Sequence, residues 1–335
     1  MKRVIAWSFL LLLSLNTSAA RPQGLRFAAD GTFRIVQFTD LHLDPQTPER
    51  QAEAEKTFAR IDRIIRTERP DLLVFTGDVV TGSPAAGMWQ RLLDTLSRRG
   101  VPYCIVLGNH DAEQDLPRRE IARLVTSAPG SLNTLDATGE LADVELPVVD
   151  SAARKPAAVL YCLDSHDYST LPGIEGYGWF EQEQIAWLRG RCAARTSENG
   201  GTPLPALAFF HIALPEYVAA WRNPDNSRIG RAAEEECPGV LNPGMFAAMA
   251  ESRSVMGTFV GHDHDIDYLV AEQGIVLGYG RFSGDNTTYN NLRPGARVIV
   301  LSEGVRGFET WIREDDGRIV DHVRFEGGKI VKYKQ

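Results

Sequence analysis

Asp40, His42, Asp78, Asn109, His211, His262 and His264 each stand at or just past the end of an apolar run. "FRIVQFTDLH" closes in Asp40 and His42, "DLLVFTGD" in Asp78, and "YCIVLGNHD" in Asn109, His110 and Asp111. "ALAFFH" closes in His211, and "GTFVGHDH" in His262, Asp263 and His264. Of the 7 histidines in the chain, all but His166 and His322 fall at these endings. Histidines scattered through a core or a surface would not gather this way. The seven side chains offer oxygen and nitrogen but no sulfur. They are too many for one catalytic zinc, which takes three protein ligands and keeps an open position. They suit two ions about 3.5–4 Å apart that share a carboxylate, a pair able to clamp phosphoryl oxygens and to acidify a bridging water. Mixed imidazole, carboxylate and amide ligands favour Fe, Mn or Zn over Ca²⁺.

The elements that must position these residues follow from periodicity. Residues 33–38 read as a strand, and 51–69 as an amphipathic helix with Phe58, Ile61, Ile64 and Ile65 on one face, stopped by Pro70. "DLLVFTGD", a helix over 88–99 closed by Gly100, and "YCIVLGNHD" continue the alternation. Near-continuous apolar strands alternating with helices predict an α/β fold whose strands are buried on both faces. In such sheets ligands gather beyond the carboxyl ends of the strands, where these polar residues stand. Beyond residue 140 come "DVELPVV", "AAVLYCLD", a helix over 180–191 and "PALAFFH"; "ARVIVL", "FETWIRE", "RIVDHVRF" and "KIVKYK" form an antiparallel tail. No repeat or Pro/Gly linker divides the chain, so 21–335 reads as a single domain.

The ordered blocks D-x-H, G-D, G-N-H-D, H and G-H-x-H, running from Asp40 to His264, resemble the calcineurin-like metallophosphoesterase superfamily. "GYGWFEQEQIAWL" and "NPGMFAAMAESRSVMGTFVGHDHDIDY" are similar to its purple-acid-phosphatase-like, Dcr2-type members. The resemblance implies a four-layer α-β-β-α sandwich, two packed mixed β-sheets flanked by helices. It implies one metal held by Asp40, His42, Asp78 and His264, and a second sharing Asp78 and taking Asn109, His211 and His262. His110 would act over the site as catalytic acid or transition-state stabiliser, oriented by Asp111. Thr81 stands where purple acid phosphatases carry a ligand tyrosine, so neither the colour nor a fixed Fe(III) carries over.

The activity expected is phosphomonoester hydrolysis by a metal-bound hydroxide. Phosphodiester hydrolysis, on cyclic nucleotides or lipid head groups, is the alternative, and a non-catalytic phosphate- or metal-binding protein is the remote one. Candidate substrate contacts are Arg281 and Tyr279 on a Gly-rich turn, and His166 after a strand. The loop 212–237 is a candidate wall for the leaving group, and Asp263 a candidate partner for a ligand histidine. His322, in the tail, reads as structural.

The 335 residues, 43% hydrophobic and 24% charged, suit a globular fold. The net charge of -8 argues against a nucleic-acid partner. "MKR", the apolar "VIAWSFLLLLSL" and the small-residue "NTSAA" make residues 1–20 a signal peptide, too short an apolar stretch for a stable membrane anchor, and predict a periplasmic or secreted protein. Oligomeric state is not legible. Among the 4 cysteines, Cys104 and Cys162 lie in strand-like runs as buried thiols, whereas a Cys192–Cys237 disulfide stays open.

Overall fold

In the computed structural model, which describes residues 24–287 and 291–333, the apolar runs become strands of two seven-stranded sheets. The expected signal segment lies outside the described residues. The first half of the chain forms β1 (Thr32–Phe38), α1 (Pro48–Glu68), β2 (Leu72–Thr76), α2 (Ala85–Arg99), β3 (Tyr103–Val106) and α3 (Arg118–Ser127). Then follow β4 (Val144–Val149), β5 (Pro156–Cys162), α4 (Gln182–Glu198), β6 (Ala206–Phe209), α5 (Glu216–Arg222), β7 (Arg228–Ile229), α6 (Met245–Ser252), β8 (Val255–Val260), β9 (Leu269–Glu272) and β10 (Ile275–Tyr279). The tail is β11 (Gly295–Ser302), β12 (Phe308–Glu314), β13 (Ile319–Glu326) and β14 (Lys329–Lys332).

One sheet runs β14-β13-β12-β11-β1-β2-β3 and the other β4-β5-β6-β8-β10-β9-β7. β1, β2 and β3 are parallel, as are β5, β6, β8 and β10, while the outer strands pair antiparallel, so both sheets are mixed. Alternation along each strand builds the layers. Phe33 and Ile35 of β1 and Leu72 and Val74 of β2 face the second sheet, where Leu160, Leu207, Phe209 and Phe259 meet them. Val36, Phe38, Leu73 and Phe75 face outward and are covered by Phe58, Ile61, Trp89, Leu92 and Ile121 of α1, α2 and α3. On the other side α4, α5 and α6 cover the second sheet with Ile185, Leu188, Tyr217 and Met249. The result is the α-β-β-α sandwich.

Helix α1 begins at Pro48, earlier than periodicity alone places it. The Thr47 hydroxyl accepts the Arg50 N–H at 3.3 Å, and proline fits the first helical position. Helices α3, α5 and α6, of 10, 7 and 8 residues, were not legible in the sequence because two turns or so show too little period. The antiparallel tail joins the first sheet by laying β11 against β1. All four cysteines are free. Cys192 lies on the buried face of α4 with Sγ 3.5 Å from the Tyr161 hydroxyl, whereas Cys237 is exposed, so no 192–237 bridge forms. Among the described residues no helix is long and apolar enough to cross a membrane.

Candidate metal centre

The carboxyl ends of β1, β2, β3, β6 and β8 deliver their polar residues to one edge of the sandwich. Asp40, His42, Asp78 and His264 form one group and Asp78, His211 and His262 a second; within each group the ligand atoms all lie within 4.8 Å of one another. Asp78 belongs to both. Its Oδ2 is 3.7 Å from His42 Nε2 and 3.4 Å from His211 Nε2. The Nε2 atoms of His42 and His264 are 3.1 Å apart, and Asn109 Oδ1 is 3.1 Å from His211 Nε2, bringing Asn109 to the second group.

The loops that carry these residues are tightly wound. Asp40, His42, Asp78 and His262 have φ of 50, 43, 50 and 77°, a left-handed conformation that costs non-glycine residues on the order of 1–3 kcal/mol each and persists where the surroundings impose it. Glycine precedes the ligand where chains crowd: a Cβ on Gly108 would fall 2.2 Å from Asp78 Oδ1, and one on Gly77 (φ 89°) 2.3 Å from His211 Nδ1. Thr39 Oγ1 donates to Asp40 Oδ2 at 2.7 Å, His262 N–H reaches the same atom at 3.1 Å, and His110 N–H donates to Asp78 Oδ1 at 2.9 Å. The Thr39 and His110 bonds each occupy one carboxylate oxygen, whereas the His262 N–H lies 3.2 and 3.1 Å from the two oxygens of Asp40.

Electrostatics free two of the rings for ligation and favour a proton on a third. Burial pushes His42 down to about 3 and His262 well below the usual imidazole value, so both are neutral at pH 7 and offer a lone pair. Burial also opposes charge on His211, but Asp78 and Asp40 beside it outweigh that and raise it to about 10. Its Nδ1 donates to the Thr76 carbonyl at 2.7 Å, turning Nε2 toward Asp78 and Asn109. Burial works against the Asp78 charge, yet His211 and His42 hold this carboxyl well below the usual range. A cation and the His211 proton thus compete for the same carboxylate, the coupling expected of a site that releases protons on metal binding.

His110 stands at the rim, its ring centroid 5.9 Å from that of His42. Asp111 does not orient it, contrary to expectation. The Asp111 carboxylate is buried and accepts the N–H groups of Val79 and Val80 (2.8 and 3.0 Å) and of Gly108 (2.8 Å), binding the β2 loop to the β3 loop. The described bonds of Asp111 thus hold the scaffold, and none reaches the His110 ring. The partner of His110 Nδ1 is Glu113 Oε2 at 2.5 Å, three residues along the turn.

The structure gives the expected substrate contacts partners within the fold. Arg281 is buried in ion pairs with Asp267 and, at 3.1 Å, with Glu314, and also donates to the Arg293 carbonyl. Tyr279 is buried and donates to Asp263 Oδ2 at 2.6 Å; Asp263 also accepts the Cys237 N–H, so its described bonds run into the fold and not to a ligand ring. His166 Nε2 bonds to Gln184 Oε1 at 2.9 Å at the head of α4, outside both ligand groups. The 212–237 loop packs its aromatics on the outer face: Tyr217 bonds Thr258 and Trp221 stacks on Tyr268 at 4.3 Å. His322 stacks on Tyr333 and bonds Glu309, as a structural residue. Sequence reasoning missed Glu113, Tyr168 and Tyr177. The three-residue spacing from His110 could have pointed to Glu113. Tyr168 and Tyr177 come from the segment between β5 and α4, and no local pattern marks them.

A family model described as Calcineurin-like phosphoesterase matches residues 33–265, from β1 to just past His264. The chain belongs to the calcineurin-like phosphoesterase family. It is 28% identical to "Probable inactive purple acid phosphatase 29" of Arabidopsis thaliana over 91% of its own length and 88% of that protein's. It is 27% identical to "Phosphatase DCR2" of Saccharomyces cerevisiae over 92% of its length and 58% of the relative's. A dimetal phosphatase from Danio rerio superposes with a TM-score of 0.58 at 14% identity, covering 88% of this chain and 98% of that one, a likeness of fold. The protein is a metallophosphoesterase, a hydrolase of phosphoric esters. Its residues fit two cations on a direct observation: Asp78 Oδ2, in the shared position, and His262 Nε2 are buried with no hydrogen-bond partner. Native proteins rarely leave such atoms orphaned, and a cation would satisfy both.

Proposed function

We propose that this phosphoesterase hydrolyses phosphomonoesters with two transition-metal ions, Fe, Mn or Zn, and works outside the cytoplasm as a single exported domain. The observation that carries the reading is Asp78, common to both ligand groups, with its unpartnered Oδ2 between His42 and His211. Asp40, His42, Asp78 and His264 would hold one cation; Asp78, Asn109, His211 and His262 would hold the other. Two such cations would supply positive charge for the phosphoryl oxygens and would acidify a bound water. The chain's own part is the leaving group. His110 keeps Nδ1–H on Glu113, so Nε2 is the atom that gives a proton to the departing oxygen. Burial opposes the charged form of His110, while Asp78 and Glu113 raise its pKa. The relative named Phosphatase DCR2 supports the phosphatase reading. Export rests on the charged start, apolar run and small-residue exit of residues 1–20.

The test is the mature chain loaded with Mn²⁺ or Zn²⁺, assayed on p-nitrophenyl phosphate and bis-p-nitrophenyl phosphate alongside its metal content. Two ions per chain with faster monoester cleavage supports the proposal. Faster diester cleavage replaces it with the diesterase, and two ions without turnover of either ester favours a phosphate- or metal-binding role.

A further inference from the structure

A short hairpin in the second sheet's half of the molecule reaches across to the β3 loop of the first. Tyr168 and Tyr177 pair as an antiparallel bridge, with Ser169 N–H on the Gly176 carbonyl at 2.8 Å and Gly178 N–H on the Asp167 carbonyl at 3.0 Å. The two rings stack at 5.7 Å, 25° from parallel. Tyr177 meets the His262 ring edge-on at 4.2 Å. Tyr168 keeps 40% of its surface exposed, yet its hydroxyl makes two directional bonds. It accepts from Asn109 Nδ2 at 3.1 Å and donates to Glu113 Oε1 at 2.6 Å.

These two bonds link groups with different tasks. An asparagine ligand must present oxygen and not nitrogen to a cation, and an amide rotated by half a turn presents the wrong atom. By accepting from Nδ2, the hydroxyl fixes which end of Asn109 faces His211, 3.1 Å from Oδ1. By donating to Glu113 Oε1, it also fixes the carboxylate whose other oxygen holds His110 Nδ1 at 2.5 Å. A rotating hydroxyl has one proton to donate and lone pairs to accept, so both bonds form at once.

We infer that Tyr168 is a positioning residue that sets the Asn109 amide for the second cation and, through Glu113, the ring of His110. It does so from the segment that follows β5 of the second sheet, so the two sheets must be docked before the second cation and the proton donor are both in place. The inference rests on the ligand assignment made above, with Asn109 in the second group and His110 as the acid.

The deciding experiment uses Tyr168→Phe, which keeps the ring on Tyr177 and removes only the hydroxyl. The metal-free protein and the variant are titrated with Mn²⁺ by calorimetry, with Asn109→Ala alongside. Loss of an outer partner of a metal ligand typically weakens metal binding 10–100-fold. The expected result is about tenfold weaker binding of one of two Mn²⁺ ions, with the other unchanged. In steady-state assays kcat should fall with KM within about twofold, and the fall should be larger for alkyl than for 4-nitrophenyl phosphate, because the poorer leaving group needs the proton. If Asn109→Ala weakens one ion but Tyr168→Phe binds both as the unaltered protein does and keeps its leaving-group dependence, the inference is overturned alone. If Asn109→Ala also leaves both ions bound as before, the ligand assignment falls, and the role of Tyr168 with it.

Discussion

The Nε2 atoms of His42 and His264 face each other at 3.1 Å, although the two residues are separated by most of the chain. Two buried ring nitrogens aimed at one point fit a shared cation. Chelation should therefore lower the melting temperature, and added Mn²⁺ or Zn²⁺ should restore it. At a hundredfold excess over Kd one bound ion stabilises by about 2.7 kcal/mol. Differential scanning calorimetry with and without EDTA checks this; an unchanged melting temperature would remove the cation from the fold.

Asp78→Asn alters the carboxylate common to both groups. Its charge holds the His42 and His211 sides together, so both ions should be lost along with at least about 10³-fold of activity, the scale seen when a principal electrostatic group is removed. Metal analysis of the purified variant decides the matter, since full metal content with full activity contradicts the shared role.

His110→Ala should retain both ions and lose about 10²–10⁴-fold in kcat, the usual contribution of a general acid. Glu113→Gln keeps a hydrogen-bond acceptor for Nδ1 and should lose less. Comparing kcat with metal content separates this from damage to the ligands.

Asp111→Ala should act on stability first. It strands the N–H groups of Val79, Val80 and Gly108, all bonded to this buried carboxylate. Each orphaned buried donor costs about 1–3 kcal/mol, so a loss of about 3 kcal/mol or more is expected in urea unfolding. An Asp111→Ala protein that unfolds like the unaltered chain while losing kcat would return Asp111 to the chemistry.

Arg281→Met removes the arginine paired with the buried Asp267 and one of the two paired with Glu314, which keeps Arg318 at 2.7 Å. Breaking such a pair costs about 3–5 kcal/mol. Unfolding should therefore occur at lower denaturant, while KM of the folded protein stays unchanged; a large rise in KM would make Arg281 a substrate contact after all.

The sequence determined the strands and the ligand candidates. An apolar run buried on both faces is legible in its residue types, and so is the abrupt change to Asp, Asn or His where the run ends at an open edge. That Asp40, Asp78 and His262 stand at such ends was therefore visible without coordinates. What lies beside a side chain was not. Asp111 and Glu113 are both acids near His110, and only the turn geometry decided that one binds three backbone amides while the other holds the ring. Arg281 looked suited to phosphate until the fold enclosed it with Asp267 and Glu314. Tyr168 had no pattern to mark it, because its partners Asn109 and Glu113 lie more than fifty residues away in the loop after β3. Periodicity reports which face of an element is buried, because that follows from the local repeat of the backbone. Which groups meet across two sheets depends on how the layers dock, and only the tertiary structure decides that.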